Sequence, residues 1–194
     1  MKKKFSNPLA SPMFLSAAIV AGSVIIYLFV QQHYRREADL LPDQYANEAN
    51  GLISLGYTPA QVVNMYGRQN MDTSMSVFIQ FYDLSGNLLA STAALNGTAP
   101  KLPKGVFTTA TEKGHYKVTW QPAPGVRNAI FIIPFHATAM EGFIAAGRSL
   151  KYAELKIRSS LIHIIIGGLC ILIAIFGFNR FPFSRGMFQL NNSV

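Results

Sequence analysis

Two long apolar segments lie near opposite ends of this 194-residue chain. Residues 13–30 read MFLSAAIVAGSVIIYLFV, and residues 161–178 read LIHIIIGGLCILIAIFGF. Each would form a helix of about 27 Å at the usual rise per residue, which is close to the thickness of a bilayer core. Neither segment contains Lys, Arg, Asp or Glu, the side chains that are most costly at membrane depth. The pattern predicts two transmembrane helices.

The sequence that follows the first apolar segment keeps a helical pattern. An apolar stripe with the spacing i, i+4, i+7, i+8 starts at Tyr45, so we predict a helix over residues 34–57 that continues the first segment. Pro42 is expected to start a new turn or to kink this helix. Thr58 and Gln61 form a capping-box pattern, which predicts a second, short helix that ends near residue 67.

From residue 76 onward the pattern is that of strands separated by turns. Two runs form a predicted hairpin around the turn at residues 83–87, and residues 93–105 are predicted to be a loop. The full set of predicted strands is 76–82, 88–92, 106–110, 115–121, 128–135 and 141–149. Residues 150–158 are helical in pattern and lead into the second apolar segment. The fold class is therefore α+β, with N-terminal helices and an antiparallel sheet of about five strands.

The formal net charge of +8 is distributed unevenly along the chain. Residues 31–160 carry all nine acidic residues and 12 of the 17 basic ones, whereas the other five basic residues lie in the short tails. By the positive-inside rule both termini are cytoplasmic and the central domain is extracytoplasmic, in a multi-pass protein of the cytoplasmic (inner) membrane. Because the basic residues anchor the tails instead of forming one patch with aromatic side chains, a nucleic-acid partner is not expected.

The predicted domain organisation follows from these segments. It comprises a basic cytoplasmic tail (1–12), a first transmembrane helix (13–30), an extracytoplasmic domain (31–158), a second transmembrane helix (159–179) and a cytoplasmic tail (180–194). A cleaved signal peptide is the alternative for the N-terminus, but the apolar run is long and no small-residue cleavage site follows it. The one cysteine, Cys170, falls in the second apolar segment, so the outer domain has no disulfide.

Two local motifs resemble a known family. The sequence FYDLSGNLLAST, residues 81–92, resembles the hairpin of extracytoplasmic PAS-like (Cache or PDC type) sensor domains. The sequence GFIAAGRSL, residues 142–150, followed by a charged helix, is similar to the last strand and exit helix of these domains in bacterial membrane-bound sensor histidine kinases. The resemblance implies a two-component signal-transduction protein with a PAS-like outer domain. Pro182 and the apolar residues after it resemble the start of a HAMP-type linker, although a solvated tail is the alternative.

The chain departs from that family because no phosphoacceptor helix and no ATP-binding region follow the second apolar segment. We therefore expect no enzymatic activity in this chain. It would be an input module that is a fragment, a truncated product or an accessory sensor acting through a partner.

The resemblance also implies where function would lie. In PAS-like sensors the ligand cavity lies against the sheet, which makes Tyr116, Trp120, Arg127 and His136 candidate ligand-binding residues. The exit strand and helix make Arg148, Leu150 and Leu155 candidates for signal transmission. The four histidines are too scattered for a metal site, and no metal and no cofactor are expected.

The expected partners are the lipid bilayer, a second copy of the chain, and an unknown small ligand or envelope protein. Small residues four apart, Ala18 with Gly22 and Cys170 with Ala174, favour the homodimer. The leading hypothesis is an extracytoplasmic sensor that transmits through the second transmembrane helix. The alternatives are an envelope interaction or scaffold protein without a ligand pocket, and an enzyme acting outside the membrane.

Overall fold

The computed structural model describes residues 12–138 and 140–180. Most of the predicted N-terminal tail and the predicted HAMP-type linker after Arg180 lie outside these residues. The chain divides into two compact units. One is Gln32–Ile157; the other combines, among the described residues, 12–31 with 158–180.

The elements follow each other in a mixed order along the chain. The helices are α1 (Pro12–Ser54), α2 (Pro59–Tyr66), α3 (Gly105–Lys113) and α4 (Lys151–Arg180). The strands are β1 (Gln69–Asn70), β2 (Phe78–Asp83), β3 (Leu88–Ser91), β4 (Ala93–Ala94), β5 (Tyr116–Ala123), β6 (Val126–Ala137) and β7 (Met140–Ser149). The described residues therefore form an α+β fold, as the sequence predicts.

Parts of α1 and α4 are long and apolar enough, by length and composition, to cross a membrane. Their most apolar 18-residue windows contain no buried residue. In the unit formed by residues 12–31 and 158–180, the two helices line a groove of about 310 Å³. Ser23 and Tyr27 are the polar side chains in its lining. A Cβ added at Gly168 would lie 3.7 Å from the Ser23 hydroxyl, so the two backbones approach each other closely there.

The other unit is built on a five-stranded sheet in the order β3-β2-β7-β6-β5, with every neighbouring pair antiparallel. β7 is the central strand and pairs along its length with both β2 and β6. A short parallel pair, β1 with β4, lies outside this sheet, and the sequence pattern did not predict it. Two-residue strands carry no periodicity that a sequence could reveal.

Both faces of the sheet are covered. On the face that we call the α1 face, the C-terminal half of α1 and α2 pack through Ala46, Ala49, Ile53 and Val62. On the α3 face, α3 packs through Phe107 and Ala110, and the segment before it packs through Leu102. Met71, which follows β1, and Ala93 of β4 are buried in the same cluster. Alternate residues of β6 and β7 enter one cluster or the other, as expected for strands buried on both sides.

One of the predicted elements is wrong. Residues 106–110 are part of helix α3 and not a strand, because Phe107 and Ala110, three positions apart, are both buried under the sheet. Gly114, in the left-handed conformation with φ of +75°, ends that helix. Pro42 lies inside α1, which is assigned as one element through it. The α2 capping box is confirmed, with reciprocal hydrogen bonds between Thr58 and Gln61.

Candidate functional site

A buried polar network on the α3 face ties β2 to the segment that precedes α3. The Tyr82 hydroxyl donates to the Gln80 side-chain oxygen at 3.1 Å and accepts from the Leu102 backbone N–H at 3.0 Å. Gln80 also donates to the Pro100 carbonyl at 2.8 Å. Burial raises the pKa of Tyr82 to about 12, although the Leu102 N–H acts in the opposite direction. This network leaves no free polar group for a ligand, and it fixes the cover of the α3 face.

Asn128 on β6 is different. Its side chain is fully buried, and neither its amide oxygen nor its amide nitrogen has a hydrogen-bond partner in the part of the chain that the structure describes. Asn128 is paired across the ladders with Trp120 on β5 and with Ser149 on β7. Buried amides in folded proteins are nearly always hydrogen-bonded, so Asn128 differs from most buried amides in having no partner among the described residues.

Ser149 lies where β7 passes into α4, and we call residues 148–154 the junction. Four contacts hold the junction to loop 71–76, which connects β1 with β2. Arg148 donates to the Met75 carbonyl at 2.8 Å, and Ser149 donates to the Asp72 carbonyl at 3.3 Å. The Lys151 ammonium contacts both carboxylate oxygens of Asp72, at 3.1 and 3.3 Å. The junction is therefore attached to one loop by three of its residues.

The opposite side of the junction is attached to β6. The Leu150 N–H donates to the Arg127 carbonyl at 2.8 Å, and the Arg127 guanidinium pairs with the Glu154 carboxylate at 2.6 Å. Ala153 is buried against Ala38 of α1 and Ala129 of β6. The three small side chains let the helices and the sheet approach closely here, so any larger side chain would displace α4.

A cleft of about 420 Å³ lies where the C-terminal end of α1 meets the end of the β6–β7 hairpin. His136 and Thr138 line it on one side, and Ile53 and Tyr57 line it on the other. The His136 imidazole lies 3.5 Å from the Glu141 carboxylate. The cleft therefore combines an apolar wall with exposed polar groups, a combination that is common in small-molecule sites.

A second cleft, of about 340 Å³, lies between the β2–β3 turn and α3. The turn is held by Asp83, whose carboxylate accepts from both the backbone and the side chain of Asn87 at 2.7 and 2.8 Å. These hydrogen bonds lower the pKa of Asp83. Gly86 has a φ of +78° and faces the Phe107 ring. The D-x-x-G motif is therefore fully used in forming the turn and packing it on α3.

The candidate ligand-binding residues do not come together at one place. Tyr116 and Trp120 are half-buried and pack on the α3 face. Arg127 is exposed and forms the ion pair with Glu154 at the junction. His136 lies at the end of β6 and lines the first cleft.

Two of the candidate transmission residues, Arg148 and Leu150, lie in the junction, and Leu155 follows it on α4. Arg148 is bonded to the Met75 carbonyl, Leu150 packs with the alanine cluster, and Leu155 is exposed. Sequence reasoning missed Asp72 and Asn128. Asp72 gives no pattern because its partner is 79 residues away, and a strand asparagine is visible in a sequence but its lack of a partner is not.

No protein-family model matches this sequence, and a search among curated proteins finds no match either. A functional proposal therefore rests on the sequence, the fold and the side-chain geometry.

Proposed function

We propose that this protein is a membrane-anchored input module of a signalling receptor, with residues 32–157 forming an extracytoplasmic, PAS-like domain. The observation that carries the proposal is the junction. The central strand of the sheet, β7, passes through Leu150 directly into α4, one of the two helices that are apolar enough to span a membrane. A change in the sheet would reach α4 without an intervening loop.

The charge distribution supports the orientation. The acidic residues all lie between the apolar segments. In the tails beyond these segments, every charged side chain is basic. This asymmetry favours a domain outside the membrane and tails on the cytoplasmic side. Signalling would then require that a ligand bind one arrangement of the junction more tightly than the other, because only a difference in affinity shifts such an equilibrium.

The His136 cleft is the candidate ligand site. Its volume of about 420 Å³ lies within the usual range of small-molecule sites. Its lining would accept a compound with an apolar portion against Ile53 and Met140 and a polar group near His136 and Thr138. In the Tyr82 network on the α3 face, by contrast, the polar side-chain groups are hydrogen-bonded to each other or to the backbone.

The test is thermal unfolding of the full-length chain in lipid nanodiscs against a library of small metabolites. We expect at least one compound to raise the melting temperature, and we expect the variant His136→Ala to lose that shift. The variant His115→Ala, which changes an exposed histidine outside this cleft, is the matched control and should keep it. Failure of every compound, or a shift that survives both His136→Ala and Tyr57→Ala, would argue against a ligand in this cleft.

A second candidate function is docking of an envelope protein. It is favoured by three large exposed apolar side chains, two in the α1–α2 turn and one on α2: Leu55 at 77%, Tyr57 at 40% and Met65 at 55%. Crosslinking in membranes, followed by purification through the full-length chain, distinguishes the two functions. Docking predicts a stoichiometric partner that is lost in Leu55→Glu, whereas ligand sensing predicts no such partner and an unchanged thermal response in that variant.

A further inference from the structure

The sequence contains two Asn-Gly dipeptides, and the structure places them in opposite surroundings. Asn50-Gly51 lies inside helix α1, whereas Asn96-Gly97 lies in the turn that follows β4. The backbone nitrogen of the glycine in such a dipeptide can attack the side-chain carbonyl carbon of the asparagine. Glycine favours this attack because it has no Cβ to hinder the approach. The local structure then decides which of the two dipeptides reacts in the folded chain.

Asn96 and Gly97 are the central residues of a tight turn. Leu95 and Thr98, which flank them, each donate a backbone hydrogen bond to the carbonyl of the other, at 2.7 and 3.0 Å. The φ angles are +50° at Asn96 and +81° at Gly97, and positive φ at both central residues is typical of a type I′ turn. Among the described residues Asn96 is the one non-glycine residue with a positive φ.

The two groups that would react are open at this turn. Asn96 and Gly97 are both exposed. The hydrogen bonds of the turn involve Leu95, Thr98 and the Gly97 carbonyl; none that the described residues form involves the Asn96 side chain or the Gly97 N–H. A Cβ built at Gly97 would meet no heavy atom within 4 Å, so nothing crowds its nitrogen on that side.

The corresponding groups at Asn50 are held by the helix. A backbone N–H inside an α-helix donates to the carbonyl four residues earlier, which keeps the Gly51 nitrogen occupied. The Asn50 carbonyl also accepts from the Ser54 hydroxyl at 2.9 Å. Ala49 and Ile53 on either side are buried in the core of the α1 face. Reaction at Asn50 therefore requires a local opening of α1.

We propose that Asn96 is a site of spontaneous deamidation in the folded protein, and that the reaction loosens the contact between this turn and Arg68. The Gly97 nitrogen gives up its proton to solvent base and forms a bond to the side-chain carbonyl carbon of Asn96. The bond from that carbon to the amide nitrogen breaks, and ammonia leaves. A water molecule then opens the cyclic imide at one of its two carbonyls, which gives aspartate or isoaspartate at position 96.

The contact with Arg68 is the structural feature that the reaction would change. The Arg68 guanidinium donates to the Gly97 carbonyl at 3.1 Å. Arg68 directly precedes β1, which pairs with β4 just before the turn, so this bond closes the end of the β1–β4 pair. In isoaspartate the main chain runs through the side-chain carbons and gains one atom between the Cα of residue 96 and Gly97. The Gly97 carbonyl is thereby moved away from Arg68.

The test is ageing of the full-length chain in lipid nanodiscs, followed by peptide mass spectrometry. We expect the peptide that contains Asn96 to gain the mass of an amide-to-acid conversion. The gain at Asn96 should be faster than that at Asn50 by at least roughly tenfold, because α1 must open first. Alkaline buffer should accelerate it, since the attacking nitrogen must lose its proton. In concentrated guanidinium chloride, which removes the helix, the two dipeptides should react at comparable rates.

Hydrogen–deuterium exchange measures the effect on the contact with Arg68. We expect peptides covering residues 67–70 to exchange a few-fold faster in aged protein than in fresh protein, whereas residues 142–146 at the centre of the sheet should not change. Asn96→Gln is the matched control. It keeps an amide, but its attack would have to close a six-membered ring, so the aged variant should show neither the mass gain at position 96 nor the faster exchange.

Two results would overturn the proposal. One is a mass gain at Asn96 in the folded chain that is no faster than the gain at Asn50. The other is an aged protein, converted at position 96, in which residues 67–70 exchange as they do in fresh protein. Both readouts are independent of a ligand in the His136 cleft and of the orientation in the membrane, so this proposal and the proposed function fail separately.

Discussion

At the scale of single residues, the buried hydroxyl of Tyr82 shows how a polar group can stabilise the interior of this domain. It is fully buried, yet it both donates and accepts a hydrogen bond, to Gln80 and from Leu102. It thereby connects β2 to the segment that covers the α3 face. A satisfied polar group of this kind stabilises, whereas removing one partner leaves the others without a hydrogen bond.

We expect Tyr82→Phe to lower the free energy of unfolding by about 1–3 kcal/mol at pH 7, because the Gln80 oxygen and the Leu102 N–H lose their partner. The pKa of Tyr82 is raised to about 12 in the folded state. Its contribution is therefore complete below pH 10 and is lost as the pH rises from 10 to 12, where the unfolded chain ionises first. Over that interval the wild type should lose up to about 3 kcal/mol from this group.

Urea denaturation at a series of pH values measures both effects. The Tyr82→Phe variant should show a shallower decline above pH 10 than the wild type. Tyr66, whose pKa burial also raises to about 12, remains in the variant and accounts for the residual slope. Equal slopes in the two proteins would show that Tyr82 is not held in its neutral form by the fold.

Gly147 on β7 is required by packing. A Cβ at this position would overlap the Phe78 ring and the end of the Ile130 side chain. We expect Gly147→Ala to lower the free energy of unfolding by about 1–3 kcal/mol. Gly51, on an exposed position of α1 with open space around it, is the matched control, and Gly51→Ala should be neutral or stabilising by up to about 1 kcal/mol. A loss in both variants, or in neither, would contradict this packing.

At the residue scale, a feature can be predicted from the sequence when neighbouring residues determine it. The Thr58–Gln61 capping box and the turn at Asp83 are determined by neighbours within four residues, and both are visible in the sequence. The turn also shows why D-x-x-G is a weak family marker, since its residues are needed by the turn itself. The unpaired amide of Asn128 depends on what covers it, and no local pattern encodes that.

At the scale of elements, the strands of the sheet and the helices α1, α2 and α4 follow their periodicities, whereas α3 does not. Residues 106–109 read Val-Phe-Thr-Thr, which by propensity favours a strand. The burial of Phe107 and Ala110 on one helical side overrides that propensity. Tertiary packing determines the secondary structure of such short segments, because the intrinsic propensities of four or five residues sum to a small free energy.

The start of α4 is the element whose packing most concerns function. Ala153 is buried against Ala38 and Ala129, whereas Leu155, two positions later, is 59% exposed. We expect Ala153→Leu to lower the free energy of unfolding by about 1–3 kcal/mol through overpacking, and Leu155→Ala to change it by less than about 0.5 kcal/mol. Chemical denaturation of the full-length chain in mild detergent measures both.

An equal loss in these two variants would show that Leu155 contributes to the domain's stability as much as the buried alanine does. If only Ala153→Leu lowers the free energy of unfolding, Leu155 does not stabilise the domain. Any role of Leu155 would then depend on contacts outside residues 32–157. That outcome would also make Leu155→Ala the suitable variant for testing transmission without disturbing the fold.

At the scale of the whole molecule, the chain is a folded α+β domain whose sequence is bracketed by two apolar helical segments. The charged residues in the two terminal tails are all basic, and the acidic residues lie between the apolar segments. From this distribution we infer an extracytoplasmic domain with both termini in the cytoplasm. The proposed sensing of an external ligand, and its transmission through α4, depend on that orientation.

The most direct measurement is the accessibility of single cysteines in right-side-out membrane vesicles. In a Cys170→Ser background, Ser85→Cys in the exposed β2–β3 turn should react with a membrane-impermeant maleimide in intact vesicles. Ser6→Cys and Ser184→Cys, at the two ends of the chain, should react only after the vesicles are opened with detergent. Labelling of the terminal cysteines in intact vesicles while Ser85→Cys stays protected, or release of the protein by alkaline carbonate, would contradict an outward domain held by two spans.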